Sequence, residues 1–257
     1  MIKSKLDDYI PTDKSLCLSP FQEIISRLDY LAQKDSPVFM IGGTGTGKRF
    51  LARKAHASGP RKHGPFITLH CSQIENKLKE KITTSNECIW SNILEQADKG
   101  TLIACSIDEM SHSLQDQLAD YIQNKHTQPE VLFPDVRLVC TVNREPDNLL
   151  SKQKLSQRLS NILYPSRVYI PELVERKEYI KPLCYRLLTV LTKKLKRNIQ
   201  DFTPEALQFL ITYPWPGNIT QLINIIERAI ILEDSPWIKL ESIYFPELSS
   251  TQFLKPS

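Results

Sequence analysis

The residues with the clearest chemical potential form the run Gly42-Gly43-Thr44-Gly45-Thr46-Gly47-Lys48, which Arg49 follows directly. Its spacing, G-x-x-x-x-G-K, is typical of a loop that binds phosphate groups. Glycines let successive backbone N–H groups point inward at an anion, and a following helix N-terminus and Lys48 add positive charge. The general motif places Ser or Thr after the lysine to hold Mg2+, whereas this chain has Arg49. The pattern predicts that a phosphate-containing ligand is bound by Gly42, Gly43, Thr44, Gly45, Thr46, Gly47, Lys48 and Arg49.

The flanking sequence predicts the elements that such a loop needs. Val38–Ile41 is an apolar run typical of a strand, and the residues after Lys48 have a helical pattern. Helical patterns also separate the later apolar runs, which predicts crossover connections and a parallel sheet covered by helices on both faces. Four more strands are predicted, at Phe66–His70, Thr101–Ile107, Val136–Val142 and Val168–Ile170.

The second part of the chain has a different pattern, because the strand signal stops at Glu172. Helices are predicted over Ile180–Lys196, from Thr203 onward, and over Ile219–Leu232. The fold class is therefore predicted as α/β, with a nucleotide-binding domain of residues 1–170 followed by a small all-α domain of residues 171–257.

Composition excludes several classes of protein. The chain has 257 residues and a formal net charge of only +4, which does not by itself indicate a nucleic-acid partner. Its six cysteines are scattered without a C-x-x-C pair, so neither a zinc site nor a disulfide framework is expected, and no metal ligands are assigned. The apolar runs are too short to span a membrane and the N-terminus lacks a signal-peptide core, which predicts a cytoplasmic protein without membrane contact.

These motifs resemble the AAA+ domain of sigma-54-dependent transcriptional activators, the bacterial enhancer-binding proteins, over nearly the whole chain. The resemblance implies an AAA+ P-loop NTPase with a helical lid domain, with ATP or ADP as its ligand. It also implies assembly into a homo-oligomer, or into a hetero-oligomer with a related AAA+ protein, in which the nucleotide lies between neighbours. Besides the phosphate loop, the resembling segments are Gly100–Leu102, Asp135–Cys140, Ile170–Leu173 with Glu175-Arg176, Tyr213–Ile219 and Ile226–Ala229. Family members commonly have a residue other than Ser or Thr after the loop lysine, so Arg49 departs less from the family than from the general motif.

The loop that contacts sigma-54 in the family is the first departure. The family places a Gly-Ala-Phe-Thr-Gly-Ala loop between the second and third strands, and hydrolysis drives it against sigma-54. The interval from Cys71 to Gly100 contains no glycine between these two residues, so the loop is expected to be deleted. In this respect the chain is similar to the aromatic amino-acid regulator of enterobacteria, and we expect that it does not remodel sigma-54.

The acidic pair that the family carries at the end of the third strand is the second departure. In one register, without a gap, the Asp that holds Mg2+ falls on Cys105 and the catalytic Glu falls on Ser106. A thiol is a poor ligand for a hard cation, and a serine cannot act as a carboxylate base. In the other register the strand slips by three residues, and Asp108 and Glu109 form the pair. The ungapped register is favoured, and whether Mg2+ accompanies the nucleotide depends on this choice.

Other family positions are altered as well. The resemblance places His70 where the family has an Asn that holds the catalytic Glu, and Thr220 where it has a lid arginine that contacts phosphate. The two arginines offered to a neighbouring subunit fall on Lys152 and Arg158, of which only Arg158 keeps the guanidinium fork. Asn143 matches the polar sensor at the end of the fourth strand.

Direct DNA binding is not expected. Family members usually carry a helix-turn-helix after the lid, but only about two dozen residues follow Leu232, and three of them are prolines. An N-terminal sensor domain is not expected either. Any effect on transcription would therefore pass through a protein partner, for example a protein of the transcription machinery.

Three functional hypotheses remain. The first is a nucleotide-binding regulator with impaired hydrolysis, which assembles with itself or with an active relative. The second is a working ATPase with Asp108, Glu109, Asn143 and Arg158 as catalytic residues. The third is an interaction domain that does not bind nucleotide.

Overall fold

The computed structural model describes residues 19–34, 36–74, 89–127, 133–143 and 154–243. The chain divides into two compact units. Of the described residues, those within 19–44 and 48–170 form the sheet unit, and those within 45–47 and 171–243 form the lid unit. The predicted domain limits of 1–170 and 171–257 remain a prediction.

Five parallel strands form the sheet unit's centre, in the order β2-β3-β4-β1-β5. The register pairs Val38 with Val139, Thr101 with Arg137, and His70 with Cys105. The central strands β1 and β4 are completely buried, as expected for a parallel sheet with both faces covered. The strands are β1 (Val38–Ile41), β2 (Phe66–His70), β3 (Thr101–Cys105), β4 (Arg137–Val142) and β5 (Arg167–Tyr169).

Helices of the sheet unit cover both faces, as the sequence predicted. The chain moves from β1 to β2 in one direction across the sheet and returns through β3 and β4 in the other, so right-handed crossovers put the connecting helices on opposite faces. One face carries α2, against which α1 packs. The unit's helices are α1 (Ser19–Ala32), α2 (Lys48–Ser58), α3 (Ile89–Gln96), α4 (His112–Thr127) and α5 (Gln157–Leu163).

Side chains alternate along β3, so that its residues lie in turn on the core face and on the face covered by α2. Leu102 and Ala104 belong to the core cluster that also contains residues of α3, α4 and α5. On the opposite face, the Thr101 hydroxyl lies 2.9 Å from Nδ1 of His56 in α2. Because side chains alternate along a strand, Cys105 lies on the same side as Thr101, toward α2.

The end of β3 differs from the prediction. The apolar run to Ile107 predicted a longer strand, but β3 ends at Cys105 and Ser106 has the left-handed conformation, with φ 57° and ψ 57°. Residues Ile107–Glu109 then form a single turn of 3-10 helix. Ile107 is apolar because it is buried in the core, not because it continues the strand.

Three helices dominate the lid unit: α6 (Ile180–Leu195), α7 (Pro204–Thr212) and α8 (Asn218–Leu232). Thr203 caps α7, as predicted, since its hydroxyl accepts a hydrogen bond from the Ala206 N–H. The lid is not purely helical, because β6 (Asp201–Phe202) and β7 (Trp237–Ile238) pair in parallel. Two-residue strands are too short to give a period-two pattern, so the sequence could not indicate them.

The cysteines that the structure describes are free thiols. Cys71, Cys140 and Cys184 are buried thiols and Cys105 is a half-buried one, while Cys17 and Cys88 lie outside the described residues. Among the helices that the structure describes, none has the length and apolar character to cross a membrane. The fold class, α/β with a parallel sheet and a helical second domain, is confirmed.

Candidate functional site

The phosphate loop connects β1 to α2, and Lys48 begins that helix. The Lys48 ammonium donates hydrogen bonds to the carbonyl oxygens of Gly42 and Gly43, both at 2.8 Å. Burial lowers the pKa of Lys48 to about 8, although the nearby Cys105 and Asp108 act in the opposite direction. At neutral pH the group is still mostly protonated, so the loop carries a positive charge of the kind that a phosphate ligand would need.

Two glycines of the loop are needed for its shape. Gly45 and Gly47 have positive φ values of 79° and 101°. A Cβ at Gly45 would also stand only 2.4 Å from the Gly217 carbonyl oxygen, so no side chain fits there. The alternating glycines of the motif thus reflect backbone geometry as well as ligand binding.

Within the lid unit, residues 45–47 pack directly against residues from the second part of the chain. The Ile219 N–H donates to the Gly45 carbonyl at 3.1 Å, and Nη2 of Arg176 donates to the Thr46 carbonyl at 3.0 Å. Burial lowers the pKa of Arg176 to about 10, which leaves it charged at neutral pH. The sequence identified Arg176 only as part of a family segment, and its contact with the loop was not predicted.

Cys105 ends β3 beside the loop. Burial raises the pKa of its thiol, whereas Arg49, a hydrogen bond with Thr141 and Lys48 lower it. The net effect is upward, so the group is a neutral thiol at neutral pH. Both cations that begin α2 are therefore within electrostatic range of the residue that the ungapped register puts in the place of the Mg2+-binding Asp.

Ser106 contacts the residue assigned as the polar sensor. Nδ2 of Asn143 donates to the Ser106 hydroxyl at 2.7 Å, and the Ser106 N–H points to the Thr141 hydroxyl at 3.4 Å. Asn143 follows β4 directly, so the adjacent ends of β3 and β4 bring the two side chains together. The predicted site residue Asn143 thus meets Ser106, the residue that the ungapped register puts in the place of the catalytic Glu.

Asp108 and Glu109 lie beyond the strand, on the 3-10 turn. Asp108 is only 8% exposed and influences the pKa of Lys48, whereas Glu109 is exposed to solvent. The structure therefore brings one carboxylate of the slipped register into the electrostatic environment of the loop. Their catalytic role remains a prediction.

A buried glutamine, which sequence reasoning missed, fixes this turn. Nε2 of Gln115 lies 3.2, 3.0 and 3.0 Å from the carbonyl oxygens of Ile107, Met110 and Lys154. Its Oε1 accepts the Ser156 N–H at 2.7 Å, and Ser156 is the N-cap of α5. Gln115 therefore connects the Ile107–Glu109 turn to the helix that carries Arg158. In the sequence, the only indication of this role is that Gln115 is a polar residue on the apolar face of a predicted helix.

Arg158 is exposed and held within its own chain. Its Nη1 lies 2.5 Å from Oδ1 of Asp120, and its Nε and Nη2 donate to Oε1 of Gln123 at 3.1 and 2.5 Å. Both partners belong to α4. Lys152, the other residue predicted to face a neighbouring subunit, lies outside the described residues.

His70 and Thr220 complete the predicted positions. His70 is the exposed last residue of β2 and pairs with Cys105 in the sheet. Thr220 lies in the first turn of α8, where its hydroxyl is 3.1 Å from the position that a Cβ at Gly45 would take. No charged group stands at this position of α8.

The donor set does not suit a resident metal ion. In the parts of the chain that the structure describes, no group of three or more His, Cys, Asp or Glu side chains could hold one. Mg2+ prefers hard oxygen ligands, of which Arg49 offers none, and in the ungapped register the carboxylate position falls on the neutral thiol of Cys105.

A parallel sheet of order β2-β3-β4-β1-β5, a glycine-rich phosphate loop between β1 and α2, and a helical lid define an AAA+ P-loop NTPase fold. Residues 18–173 match the model of the sigma-54 interaction domain, and residues 174–252 match that of the AAA+ ATPase lid domain. The chain therefore belongs to the sigma-54 interaction domain family. The family resemblance inferred from the motifs is confirmed.

Known proteins agree with this assignment. The chain is 30% identical over 230 residues to the transcriptional regulatory protein ZraR of Escherichia coli, which covers 84% of this chain and 52% of ZraR. It thus spans about half the length of the curated relatives it matches. The crystal structure of NtrX from Brucella abortus in complex with ADP superimposes with a TM-score of 0.79 at 21% identity, covering 95% of this chain and 59% of NtrX. The ATP complex of NtrX gives a TM-score of 0.74 at 21% identity, with 93% and 58% covered.

Proposed function

We propose that this protein binds ATP or ADP through Gly42–Arg49, hydrolyses it slowly or not at all, and regulates transcription through protein partners. The observation that carries the proposal is the hydrogen bond between Asn143 and the Ser106 hydroxyl, directly after β3 ends at Cys105. This contact supports the ungapped register, in which Cys105 and Ser106 replace both acidic residues of the family pair.

Binding is supported by the part of the site that is complete. Lys48 is charged at neutral pH and stands at the N-terminus of α2, where the helix dipole also favours an anion. Gly45 and Gly47 give the loop the backbone conformation that aims N–H groups inward. The related fold of NtrX has been crystallised with ADP and with ATP, which supports the same class of ligand here.

Hydrolysis would need a base to activate water, and Ser106 cannot supply one. Its hydroxyl has no carboxylate chemistry, and it accepts the Asn143 amide hydrogen bond. The lid position that carries an arginine in the family is Thr220, which adds no charge for the transition state. Loss of a general base alone typically costs about 100-fold to 10,000-fold in rate, so several such losses together predict slow turnover.

The second candidate is an ATPase that uses Asp108 as its acidic group. The observation in its favour is that the buried Asp108 carboxylate acts on the Lys48 ammonium. Against it, the exposed Glu109 follows on the same turn, beyond the end of β3.

Regulation through a partner is supported by the family and by the loop interval. The relatives named above include a transcriptional regulatory protein, and the chain has no Gly-Ala-Phe-Thr-Gly-Ala sequence. We therefore expect assembly with itself or with an active AAA+ relative, and contact with a transcription-machinery protein that does not depend on that loop. Arg158 is the residue that would face a neighbouring subunit, once released from Asp120 and Gln123.

Phosphate release from ATP tests the proposal, with the double variant Cys105→Asp, Ser106→Glu measured beside the unmodified protein. We expect little release from the unmodified protein and a clear gain in the double variant. Turnover at a rate normal for AAA+ ATPases, abolished by Asp108→Ala but not by Cys105→Ala, would establish the second candidate instead. Equilibrium binding of ATP and ADP by calorimetry tests the nucleotide-binding step separately.

A further inference from the structure

The two positions that P-loop proteins use to hold Mg2+ carry groups that oppose it. A Ser or Thr hydroxyl after the loop lysine ordinarily coordinates the ion, and this chain has Arg49. A carboxylate at the end of β3 ordinarily completes the site, and this chain has the neutral thiol of Cys105. The guanidinium carries donors and no acceptor, so it cannot coordinate a metal ion.

These two substitutions lie on the same side of β3. Cys105 lies on the α2 side of β3, because Thr101 of the same face meets His56 of α2 at 2.9 Å. Arg49 is the half-buried second residue of α2, and its charge acts on the Cys105 thiol. Relative to the usual motif, the missing carboxylate and the additional arginine both make the local charge on this side of β3 more positive.

The charges around this place suit a phosphate group without a metal. Lys48 and Arg49 are adjacent cations at a helix N-terminus, which itself favours anions. Arginine donates paired hydrogen bonds to phosphate oxygens in a fixed geometry, and it is more weakly hydrated than an ammonium group. Arg49 can thus neutralise the phosphate oxygens that Mg2+ covers in other P-loop proteins.

We propose that this protein binds nucleoside diphosphates and triphosphates in their metal-free form, with the Arg49 guanidinium in the role of the magnesium ion. The proposal rests on the nucleotide binding proposed above and specifies the form of the ligand. Mg2+ in solution then competes with the protein for the nucleotide, because it binds the same phosphate oxygens that Arg49 contacts. Since Mg2+ chelates a triphosphate more tightly than a diphosphate, ADP becomes the favoured nucleotide whenever Mg2+ is abundant.

Isothermal calorimetry on the full chain tests the proposal, with ADP and ATP each titrated in EDTA and in excess Mg2+. We expect affinities in EDTA equal to or tighter than those in Mg2+, and a larger weakening by Mg2+ for ATP than for ADP. Affinity that falls about tenfold or more when EDTA replaces Mg2+ overturns this proposal but leaves nucleotide binding in place. Binding of neither nucleotide in either condition overturns both.

Variants identify the residue responsible. Arg49→Ala should weaken ADP binding in EDTA by about tenfold or more, the loss expected for one charge-assisted contact. Lys54→Ala removes a cation from the same helix away from its first turn and should leave the affinity unchanged. The double variant Arg49→Thr, Cys105→Asp restores both metal-binding positions, and its affinity should rise on addition of Mg2+.

Two results would contradict the assignment of Arg49. One is an Arg49→Ala protein, shown to be folded by circular dichroism, that binds ADP in EDTA as tightly as the unmodified protein. The other is Mg2+-dependent binding that Asp108→Asn abolishes, which would assign the metal to the slipped register. If Arg49→Ala does not fold, the comparison of EDTA and Mg2+ on the unmodified protein still decides the proposal.

Discussion

The side-chain amide of Asn143 donates a hydrogen bond of 2.7 Å to the hydroxyl of Ser106 across the ends of two adjacent strands. Parallel pairing of β3 with β4 brings these ends together, and the left-handed conformation of Ser106 turns the chain away immediately afterwards. The contact joins two side chains that have no charge. Under the proposed function, Ser106 stands where the family has its catalytic Glu, and neither group of this pair can act as a general base.

The first prediction concerns this pair. In the unmodified protein, Asn143→Ala should change ATP turnover less than about twofold, because there is no carboxylate at position 106 for the amide to orient. In the Cys105→Asp, Ser106→Glu background the same substitution should lower the gained turnover by about tenfold or more, because the restored base then depends on it. Single-turnover phosphate release measures both. Equal losses in the two backgrounds would show that Asn143 serves hydrolysis without an acidic residue at 106.

The second prediction concerns the pH dependence of binding through Lys48. Its pKa, lowered to about 8 by burial, means that the unliganded protein loses this cation as the pH rises from 7 to 9. Phosphate binding needs the protonated form, so ADP affinity should fall above pH 8, by at most about tenfold for each pH unit. Fluorescence titration with a labelled ADP, at constant ionic strength, gives the profile.

Lys48→Arg provides the matched control for that profile. Arginine stays charged across the whole range, so its affinity, whatever its absolute value, should be constant from pH 7 to 9. A decline of the same slope in the arginine variant would assign the titration to another group.

The third prediction concerns Gln115. Replacement by Leu keeps the size of the side chain but leaves the carbonyls of Met110 and Lys154 and the N–H of Ser156 without their present partner. Unsatisfied buried groups of this kind cost about 1–3 kcal/mol each, and partial relaxation brings the expected total loss to about 3 kcal/mol. Urea unfolding of the full chain measures it. Gln96→Leu, at an exposed position that ends α3, should change the stability by less than about 0.5 kcal/mol.

Much of the fold followed from the sequence because its signals are local. The apolar run Val38–Ile41 before the glycines and the Thr203-Pro204 cap gave elements at the expected places. These features depend on neighbouring residues, whose preferences tertiary packing did not change. The same reasoning extended β3 to Ile107, because a buried residue on a 3-10 turn has the same apolar character as a strand residue.

Contacts between distant residues could not be predicted in this way. Nothing in the sequence around Gln115 indicates that it bonds to Lys154 and Ser156, about 40 positions away. The packing of Gly45 against Gly217 and the hydrogen bond from Arg176 to Thr46 likewise depend on how the chain returns to the loop. The sequence therefore indicated a glycine-rich loop between a strand and a helix, whereas the groups that pack against this loop were visible only in the structure.

The last prediction concerns Glu233, which organises the end of the lid unit. Its carboxylate accepts hydrogen bonds from the Ser235 N–H and hydroxyl, the Lys239 N–H and the Ser242 hydroxyl. Burial raises the pKa of Glu233, but these hydrogen bonds lower it by more, so that the net pKa is about 2. Glu233→Gln replaces one acceptor oxygen by a donor, so the variant should lose about 2 kcal/mol of unfolding free energy at pH 7.

The pH dependence of this stabilisation distinguishes it from a simple packing effect. The folded pKa lies below the value of 4.5 for an unperturbed glutamate, so the unfolded chain binds the proton first as the pH falls. The contribution of Glu233 is therefore complete above about pH 4.5 and decreases progressively as the pH falls through about 2. Urea unfolding of both proteins from pH 7 to pH 3 should show their stability difference shrinking, whereas Glu241→Gln, at an exposed position of the same segment, should follow the unmodified protein. A difference that stays constant over this range would mean that the carboxylate's charge plays no part.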